Sequence, residues 1–352
     1  MDLFKQIVED SALHINFKNI VSIKGRQFEI DEFLRWGDGF VDRDNKIVKE
    51  FQTTFNSSFW EIYLFALFKE YGFEIDWSHS TPDFILKAKG IDFVIEATTA
   101  NAAQDKPNEW DKVLSPETFK NMKFNEINKE SMIRLSNAIL SKYKKYKNSY
   151  KNLSHAANKP FVIAVGPFEQ PFFTMQYDRP IRALLYDYYV DEEAYYANPE
   201  AYPSGPPAVN LGSVAKDNGT ELFLGFFNGA GMEEVSAILF SNSATWAKVS
   251  ARGAHFAGKD KTLQYIWAFD KNGAPSTRTL SAKDYLEPIS AGLQIYHNPY
   301  AKRPLDPAVF RHEGVVQDYM DNNGEWIHEE RGNCLQIRTM LPVPFNPSDN
   351  AR

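Results

Sequence analysis

The most apolar stretch of the chain is FWEIYLFALF, residues 59–68, in which a single carboxylate, Glu61, stands among aromatic and aliphatic side chains. Three good N-cap residues precede it at 56–58, and Gly72 stands where a C′ glycine ends a helix. The pattern predicts a helix over residues 57–71 with no face clearly left for water. An ionised carboxylate buried there needs a counter-charge, a metal or a raised pKa, unless it lies at the open first turn of the helix.

Alternating and continuous apolar runs after this helix predict strands. The stretch FEIDWSHSTPDFILKAKGIDFVIEATT, residues 73–99, alternates on both sides of Lys89-Gly90, as a β-hairpin does. The run at 161–165 is continuously apolar, which is typical of a strand covered on both faces. The intervening residues, about 115–152, are polar and helical in pattern. Strand, helix and strand over this distance predict a crossover within a parallel or mixed sheet, and hence an α/β fold.

The pattern divides the chain into four parts. We expect a helical segment over 1–50, an α/β core over 51–185, a loop or linker over 186–220 and a β-rich extension over 221–352. The proposed linker is acidic, rich in tyrosine and broken by proline and glycine. Strand-like runs in the last part, such as VSAILFS and CLQIRTML, could extend the first sheet or form a second β-rich unit.

Composition limits the class of protein. The 352 residues are 43% hydrophobic and 24% charged, with 27 Phe and 17 Tyr. The single cysteine, Cys334, excludes an intramolecular disulfide framework and a Cys-rich zinc site, and its apolar surroundings predict a buried side chain. No apolar run approaches the 18 or so residues of a membrane span, and the first residues lack the pattern of a signal peptide. We therefore expect a cytoplasmic protein without a membrane partner.

Charge is unevenly distributed along the chain. The net charge is −7, yet residues 118–151 carry nine basic residues against two acidic ones. Within KYKKYKNSYKN, residues 142–152, three tyrosines recur at helical spacing. They could stack on bases beside lysines that contact phosphates, or they could dock on the sheet while the lysines face water. The candidate nucleic-acid contacts are Arg134, Lys142, Lys144, Lys145 and Lys147.

The hairpin brings two carboxylates together. With the turn at Lys89-Gly90, Asp83 lies opposite Glu96, and their Cβ atoms would be about 4.5–5.5 Å apart. Two opposed like charges are destabilising unless a cation lies between them. Mg²⁺ suits this position because one or two carboxylates, with water and substrate phosphate, complete its ligand shell. Thr98 is predicted on the same face.

The order of these residues resembles the PD-(D/E)XK nuclease superfamily. Glu61 on a helix is followed by Pro82-Asp83, twelve further residues and Glu96-Ala97-Thr98, within a region of about 55–166. The resemblance implies a restriction-endonuclease-like α-β-β-β-α-β core, a mixed sheet flanked by helices. It also implies hydrolysis of phosphodiester bonds in DNA with Mg²⁺ or Mn²⁺, in a setting such as restriction or phage defence. Glu61, Asp83 and Glu96 would be the metal ligands and, with Thr98, the catalytic set.

Thr98 departs from this pattern, because the superfamily usually has lysine there. A substitute could be Lys87, on the same strand and face as Asp83, or Gln104, which could position a water. Lys142 and Arg134 on the following helix are further options. Alternatively, the chain is a weakened or inactive nuclease-fold module that binds nucleic acid or a protein partner. Assembly as a homo-oligomer, or recognition of a protein by the tyrosine-rich segment 186–202, also stays open.

Overall fold

The computed structural model describes residues 2–267 and 276–341. Its helices, in chain order, are α1 (Ile15–Ser22), α2 (Gln27–Trp36), α3 (Ile47–Thr53), α4 (Phe55–Glu70), α5 (Pro116–Lys120), α6 (Phe124–Asn148), α7 (Arg179–Tyr186), α8 (Glu192–Ala197) and α9 (Trp246–Phe256). Its strands are β1 (Glu74–Ile75), β2 (Phe84–Ala88), β3 (Ile91–Thr99), β4 (Phe161–Gly166), β5 (Tyr189–Val190), β6 (Ala208–Val209), β7 (Ser213–Ala215), β8 (Glu221–Phe223), β9 (Ala237–Phe240), β10 (Thr262–Trp267), β11 (Ser276–Ser281), β12 (Gln294–His297), β13 (Val316–Met320), β14 (Trp326–Glu330) and β15 (Leu335–Leu341).

A mixed sheet of eight strands organises the molecule, in the order β1-β2-β3-β4-β9-β12-β13-β14. Strands β3, β4 and β9 are parallel, and α6 lies in the connection from β3 to β4. The hairpin β2–β3 and the pairs β9–β12 and β13–β14 are antiparallel. Helices cover both faces of this sheet. The predicted α/β class is confirmed.

The C-terminal strands follow both of the arrangements that the sequence left open. Strands β9, β12, β13 and β14 extend the large sheet, while β10, β11 and β15 form a separate three-stranded sheet. The segment expected to be a loop or linker contains α8, the small pair β5–β6 and strand β7, which pairs with β8 just beyond it. Local order arises there partly because the carboxylate of Asp191 accepts a hydrogen bond from the Ala194 N–H and caps α8.

Helix α4 begins two residues before the predicted start, and the predicted cap residues lie inside it. Thr54 occupies the N-cap position without a side-chain cap, one residue after α3 ends. Phe55 is buried and its ring stacks on that of Phe59, so aromatic packing rather than capping sets the start. The end is as predicted: Gly72 follows α4 at φ +67°, a conformation that glycine adopts without strain.

The two faces of the sheet carry separate cores. Helix α4 and the N-terminal helices pack on one face, and α6 and α7 pack on the other. Tyr143, Tyr146 and Tyr150 are buried under α6, and Tyr146 stacks on Phe161 of β4 at 4.2 Å between ring centroids. The docking interpretation of these tyrosines is therefore confirmed, and the expectation that they stack on bases is wrong.

Two further expectations concern single features. Cys334 is buried, as predicted, with its sulfur 3.7 Å from the carbonyl oxygen of Val315. Within the described part of the chain, every helix is too short or too polar to cross a lipid bilayer.

Candidate active site

The β2–β3 hairpin has the predicted register. Phe84 pairs with Ile95 and Ala88 with Ile91, so two residues form the turn, and both have positive φ, as a type I′ turn requires. Asp83 directly precedes Phe84 and is thereby placed opposite Glu96. Its Oδ2 accepts a hydrogen bond of 2.7 Å from the N–H of Ala97. The turn thus fixes the two carboxylates side by side.

Glu96 is the centre of the cluster and is completely buried on the face that α6 covers. Its Oε1 accepts hydrogen bonds from Lys142 Nζ at 2.9 Å and Lys145 Nζ at 2.8 Å. The two lysines lie three residues apart and therefore on one face of α6. Its Oε2 is buried and has no hydrogen-bond partner among the described residues. Two cations thus converge on one oxygen of the strand acid, from a helix rather than from β3.

Burial and mutual repulsion perturb the other two acids. Burial, and then the charge of Glu96, raise the pKa of Asp83 to about 6. Burial, and then the charge of Asp83, raise the pKa of Glu61 to about 8. Because α4 begins at Phe55, Glu61 lies in its second turn, and the interpretation of an acid at the open first turn is wrong. Helix α4 can accommodate this carboxyl because its raised pKa keeps it largely uncharged near neutral pH.

Two residues next to these acids could not be identified from the sequence pattern. Arg43, from the N-terminal segment, donates hydrogen bonds to the carbonyl oxygens of Pro82 at 3.4 Å and Asp83 at 2.6 Å. It thereby fixes the loop that leads into β2. Tyr150 is buried beside Glu96, and burial together with the charge of Glu96 raises the pKa of its hydroxyl. Both contacts depend on tertiary packing, which the local sequence pattern does not encode.

Of the proposed substitutes for the missing lysine, Lys87 and Gln104 lie away from the cluster. Lys87 is exposed on β2, four residues or about 13 Å along the strand from Asp83. Gln104 is exposed in the loop after β3. Neither donates a hydrogen bond to a described carboxylate, and Thr98, half-buried on β3, brings no charge. The cations beside the acids are instead Lys142 and Lys145, of which the sequence had offered only Lys142 for this position.

The five predicted nucleic-acid contacts do not form one surface. Lys142 and Lys145 face Glu96, whereas Lys144 and Lys147 are exposed on α6, where Lys147 lies over the ring of Tyr143 at 4.7 Å. Arg134 is paired with Glu130 at 2.7 Å, eight residues or about 12 Å along the helix from Lys142. The exposed part of the predicted basic face is thus narrower than the sequence indicated.

The residues of this cluster meet only some of the requirements of a metal site. In residues 2–267 and 276–341, no three His, Cys, Asp or Glu side chains are arranged to hold a metal ion on their own. However, the buried Oε2 of Glu96 lacks a partner, and Asp83 uses only one oxygen in a hydrogen bond. Mg²⁺ needs only one or two carboxylates besides water and phosphate. A divalent cation would also relieve the repulsion that raises the pKa of Asp83.

The arrangement combines two adjacent strand carboxylates, a third acid whose pKa is raised to about 8 and two partly exposed lysines. Such a set can bind a cation, hold a water molecule and offset the charge of a phosphate. Comparison with models of known protein families, with curated proteins and with solved structures finds no match to this chain.

Proposed function

We propose that this chain is a metal-dependent nuclease that hydrolyses phosphodiester bonds in DNA, with a restriction-endonuclease-like core. The order α4, β1, β2, β3, α6 and β4, interrupted by the short helix α5 before α6 and with β3 and β4 parallel and adjacent, supports that core. It is similar to the α-β-β-β-α-β succession that the resemblance implies. Helices α4 and α6 lie on opposite faces, and each contributes an ionisable side chain to the region around Asp83.

The observation that carries the proposal is the position of the lysines. Lys142 and Lys145 bring positive charge to Glu96, next to Asp83, although Thr98 stands at the usual lysine position. A nuclease needs a cation there because negative charge grows on the phosphate in the transition state. The charge that β3 lacks is therefore available from α6.

Each residue of the cluster has a role in the proposed reaction. Asp83 is oriented by the Ala97 N–H through one oxygen, so the other can hold a cation, as can Oε2 of Glu96. When bound, Mg²⁺ or Mn²⁺ polarises the scissile phosphate and lowers the pKa of a coordinated water. Lys142 or Lys145 can leave Glu96 and contact a phosphate oxygen, because both side chains reach solvent. Burial and the charge of Asp83 raise the pKa of Glu61 to about 8, so it adds a protonated carboxyl to this region rather than a third metal-binding carboxylate.

A second candidate function is a nuclease-fold module that binds nucleic acid or a protein without cutting. It is favoured by the two lysines themselves, because they neutralise Glu96 without any metal. The two candidates differ in whether Asp83 and Glu96 take up a divalent cation.

Cleavage assays test the proposal directly. Supercoiled plasmid, single-stranded DNA and single-stranded RNA are incubated with Mg²⁺ or Mn²⁺ and with the wild type, Asp83→Ala or Glu96→Ala. Asp92→Ala is the matched control, because Asp92 is an exposed carboxylate at the other end of the same hairpin. We expect metal-dependent cutting of DNA that both site variants lose and the control retains.

Calorimetry with MgCl₂ and MnCl₂ separates the two candidates. Uptake of metal by the wild type, and its loss in Asp83→Ala, is expected for the nuclease. Absence of both cleavage and metal uptake in the wild type would overturn the nuclease proposal and leave the binding module.

A further inference from the structure

A recess outside the acid cluster lies at the β14 edge of the large sheet, on the face that α7 covers. Its volume is about 380 Å³, within the range of about 300–1,000 Å³ typical of small-molecule sites. It is lined by Arg182, Tyr186, Tyr188, Asn210, Asn228 and Trp326. Three of these six side chains are aromatic, and the other three offer groups for hydrogen bonding.

The aromatic walls leave flat surfaces open to solvent. Trp326 and Tyr188 are 41% and 39% exposed. The ring of Trp326 meets that of Tyr186 edge to face, with centroids 4.6 Å apart, which fixes its orientation. Two partly exposed rings around one recess offer surfaces on which a planar ligand can stack.

Arg182 supplies hydrogen-bond donors in a fixed orientation. Its Nη1 donates to Asp178 at 3.2 Å, and its Nε lies 3.1 Å from Oδ2 of Asp318. Both acids are buried and shared with a second cation, Asp178 with Arg179 and Asp318 with His328. The guanidinium lies over the ring of Tyr188, at 4.4 Å, and its Nη2 donates no hydrogen bond to the described residues. A planar donor held in this way can contact a planar acceptor stacked beside it.

The two asparagines supply acceptors. Asn210 donates through Nδ2 to the carbonyl oxygen of Asp187 at 2.5 Å, and Asn228 donates likewise to that of Tyr186 at 2.9 Å. Because a carbonyl oxygen only accepts, the amide nitrogens must face the backbone. The side-chain oxygens of both asparagines therefore stay available to donors on a ligand.

We infer that this recess binds an unpaired nucleobase and that guanine is the base that fits best. Guanine offers O6 and N7 as acceptors, the pair that arginine most often contacts, and its amino group is a donor for an asparagine oxygen. Adenine carries an amino group where guanine carries O6. Cytosine also has an exocyclic amino group, and it lacks N7. This inference deepens the proposed nuclease function and rests on it for the nature of the substrate.

Binding of guanosine 5′-monophosphate, measured by calorimetry without divalent metal, tests the inference. We expect binding at least tenfold tighter than that of adenosine 5′-monophosphate, and no competition by ribose 5-phosphate. Trp326→Ala and Tyr188→Ala should each weaken binding at least about tenfold, as expected for loss of a stacking surface. Tyr196→Ala is the matched control, because Tyr196 is 75% exposed outside the recess.

Other results would overturn the inference. These are absence of binding, equal binding to Trp326→Ala and the wild type, or displacement by ribose 5-phosphate, which would identify a phosphate site. The measurement is repeated in Asp83→Ala, where binding should be unchanged. Guanosine monophosphate binding by a protein that cuts no nucleic acid would support the recess and contradict only the nuclease proposal, so the two failures are distinguishable.

Discussion

Two buried glutamates in this molecule have nearly the same contacts. Glu96 and Glu287 are both completely buried, each has two cations at Oε1, and each has an Oε2 without a partner among the described residues. At Glu287 the cations are Lys248 Nζ at 2.5 Å and Arg338 Nη1 at 2.6 Å. At Glu96 they are the two lysines of α6. The similarity makes the differences around them informative.

The first difference is the exposure of the cations. Lys248 and Arg338 are 0% and 2% exposed, and Lys248 also donates to the carbonyl oxygen of Ala291 at 2.9 Å. Lys142 and Lys145 are 23% and 45% exposed. The cations of Glu287 are closed off from solvent, whereas those of Glu96 can exchange the carboxylate for water or phosphate.

The second difference is the balance of charge. Burial alone would raise the pKa of Glu287, but Arg338 and Lys248 hold it below its usual value. Around Glu96, the additional acids Asp83 and Glu61 have raised pKa values instead. The charges around Glu287 are compensated, whereas the cluster with excess acid is the one at which we propose a divalent cation.

The largest effect is expected at Glu287. Glu287→Gln leaves Lys248 and Arg338 buried without a counter-charge, so the free energy of unfolding should fall by about 3–5 kcal/mol. Glu96→Gln should cost less than about 1.5 kcal/mol, because its lysines can turn to solvent. Urea denaturation measures both values. Equal losses in the two variants would remove the distinction between the clusters.

The lysines of α6 should affect both stability and cleavage, because removing both leaves Glu96 buried without a counter-charge. Replacing both Lys142 and Lys145 by alanine should reduce the rate of DNA cleavage about 100-fold, since a charge beside the phosphate is lost. The single variants identify which lysine contributes more. Lys49→Ala, which removes an exposed lysine of α3 outside the predicted nucleic-acid contacts, is the control. A double variant that cuts at the wild-type rate would show that the lysines serve only to neutralise Glu96.

Glu61 should make stability depend on pH. Since its pKa is raised to about 8 in the fold, its contribution is complete below its ordinary value near 4.5 and is lost as pH rises toward 8. Without metal, the free energy of unfolding should fall between pH 5 and 8.5. Glu61→Gln should remove at least about 1.4 kcal/mol of that fall, the equivalent of one pKa unit. Glu70→Gln, which alters an exposed carboxylate at the end of α4, should leave this pH dependence unchanged. If the free energy of unfolding of Glu61→Gln fell with pH as steeply as that of the wild type, the assignment of the raised pKa to Glu61 would be contradicted.

The smallest effects are expected at the exposed lysines next to the cluster. Lys144→Ala and Lys147→Ala should change the free energy of unfolding by less than about 0.5 kcal/mol. If these lysines contact DNA phosphates, each substitution should reduce the slope of the logarithm of the binding constant against the logarithm of the salt concentration by about one. Fluorescence anisotropy with labelled DNA at several salt concentrations measures this. An unchanged slope would limit the contacts of α6 to Lys142 and Lys145.

The sequence predicted those parts of the site that depend on local geometry. Lys89-Gly90 between alternating strands sets a two-residue turn, and this turn places Asp83 opposite Glu96. The apolar run of β4 and the helical pattern before it predicted the crossover in the same way. Each of these features involves residues close together in the chain.

The parts that the sequence could not predict depend on distant packing. Lys142 and Lys145 lie 46 and 49 residues after Glu96, and only the docking of α6 on the sheet turns them toward it. The same holds for Arg43, which reaches Asp83 from 40 residues away. The start of α4 likewise depends on the packing of Phe55 against Phe59, which the cap residues at 56–58 do not reveal.

The eight-stranded sheet gives the molecule a fixed internal length. Five strand-to-strand steps separate β3 from β14, and at about 4.8 Å a step they amount to about 24 Å. The acid cluster and the recess lie near these two strands on the same face. If the proposed nuclease site and the proposed base-binding recess hold the same nucleic-acid strand, their separation is fixed by the sheet. The bond that is cut would then lie a constant number of nucleotides from the recognised base.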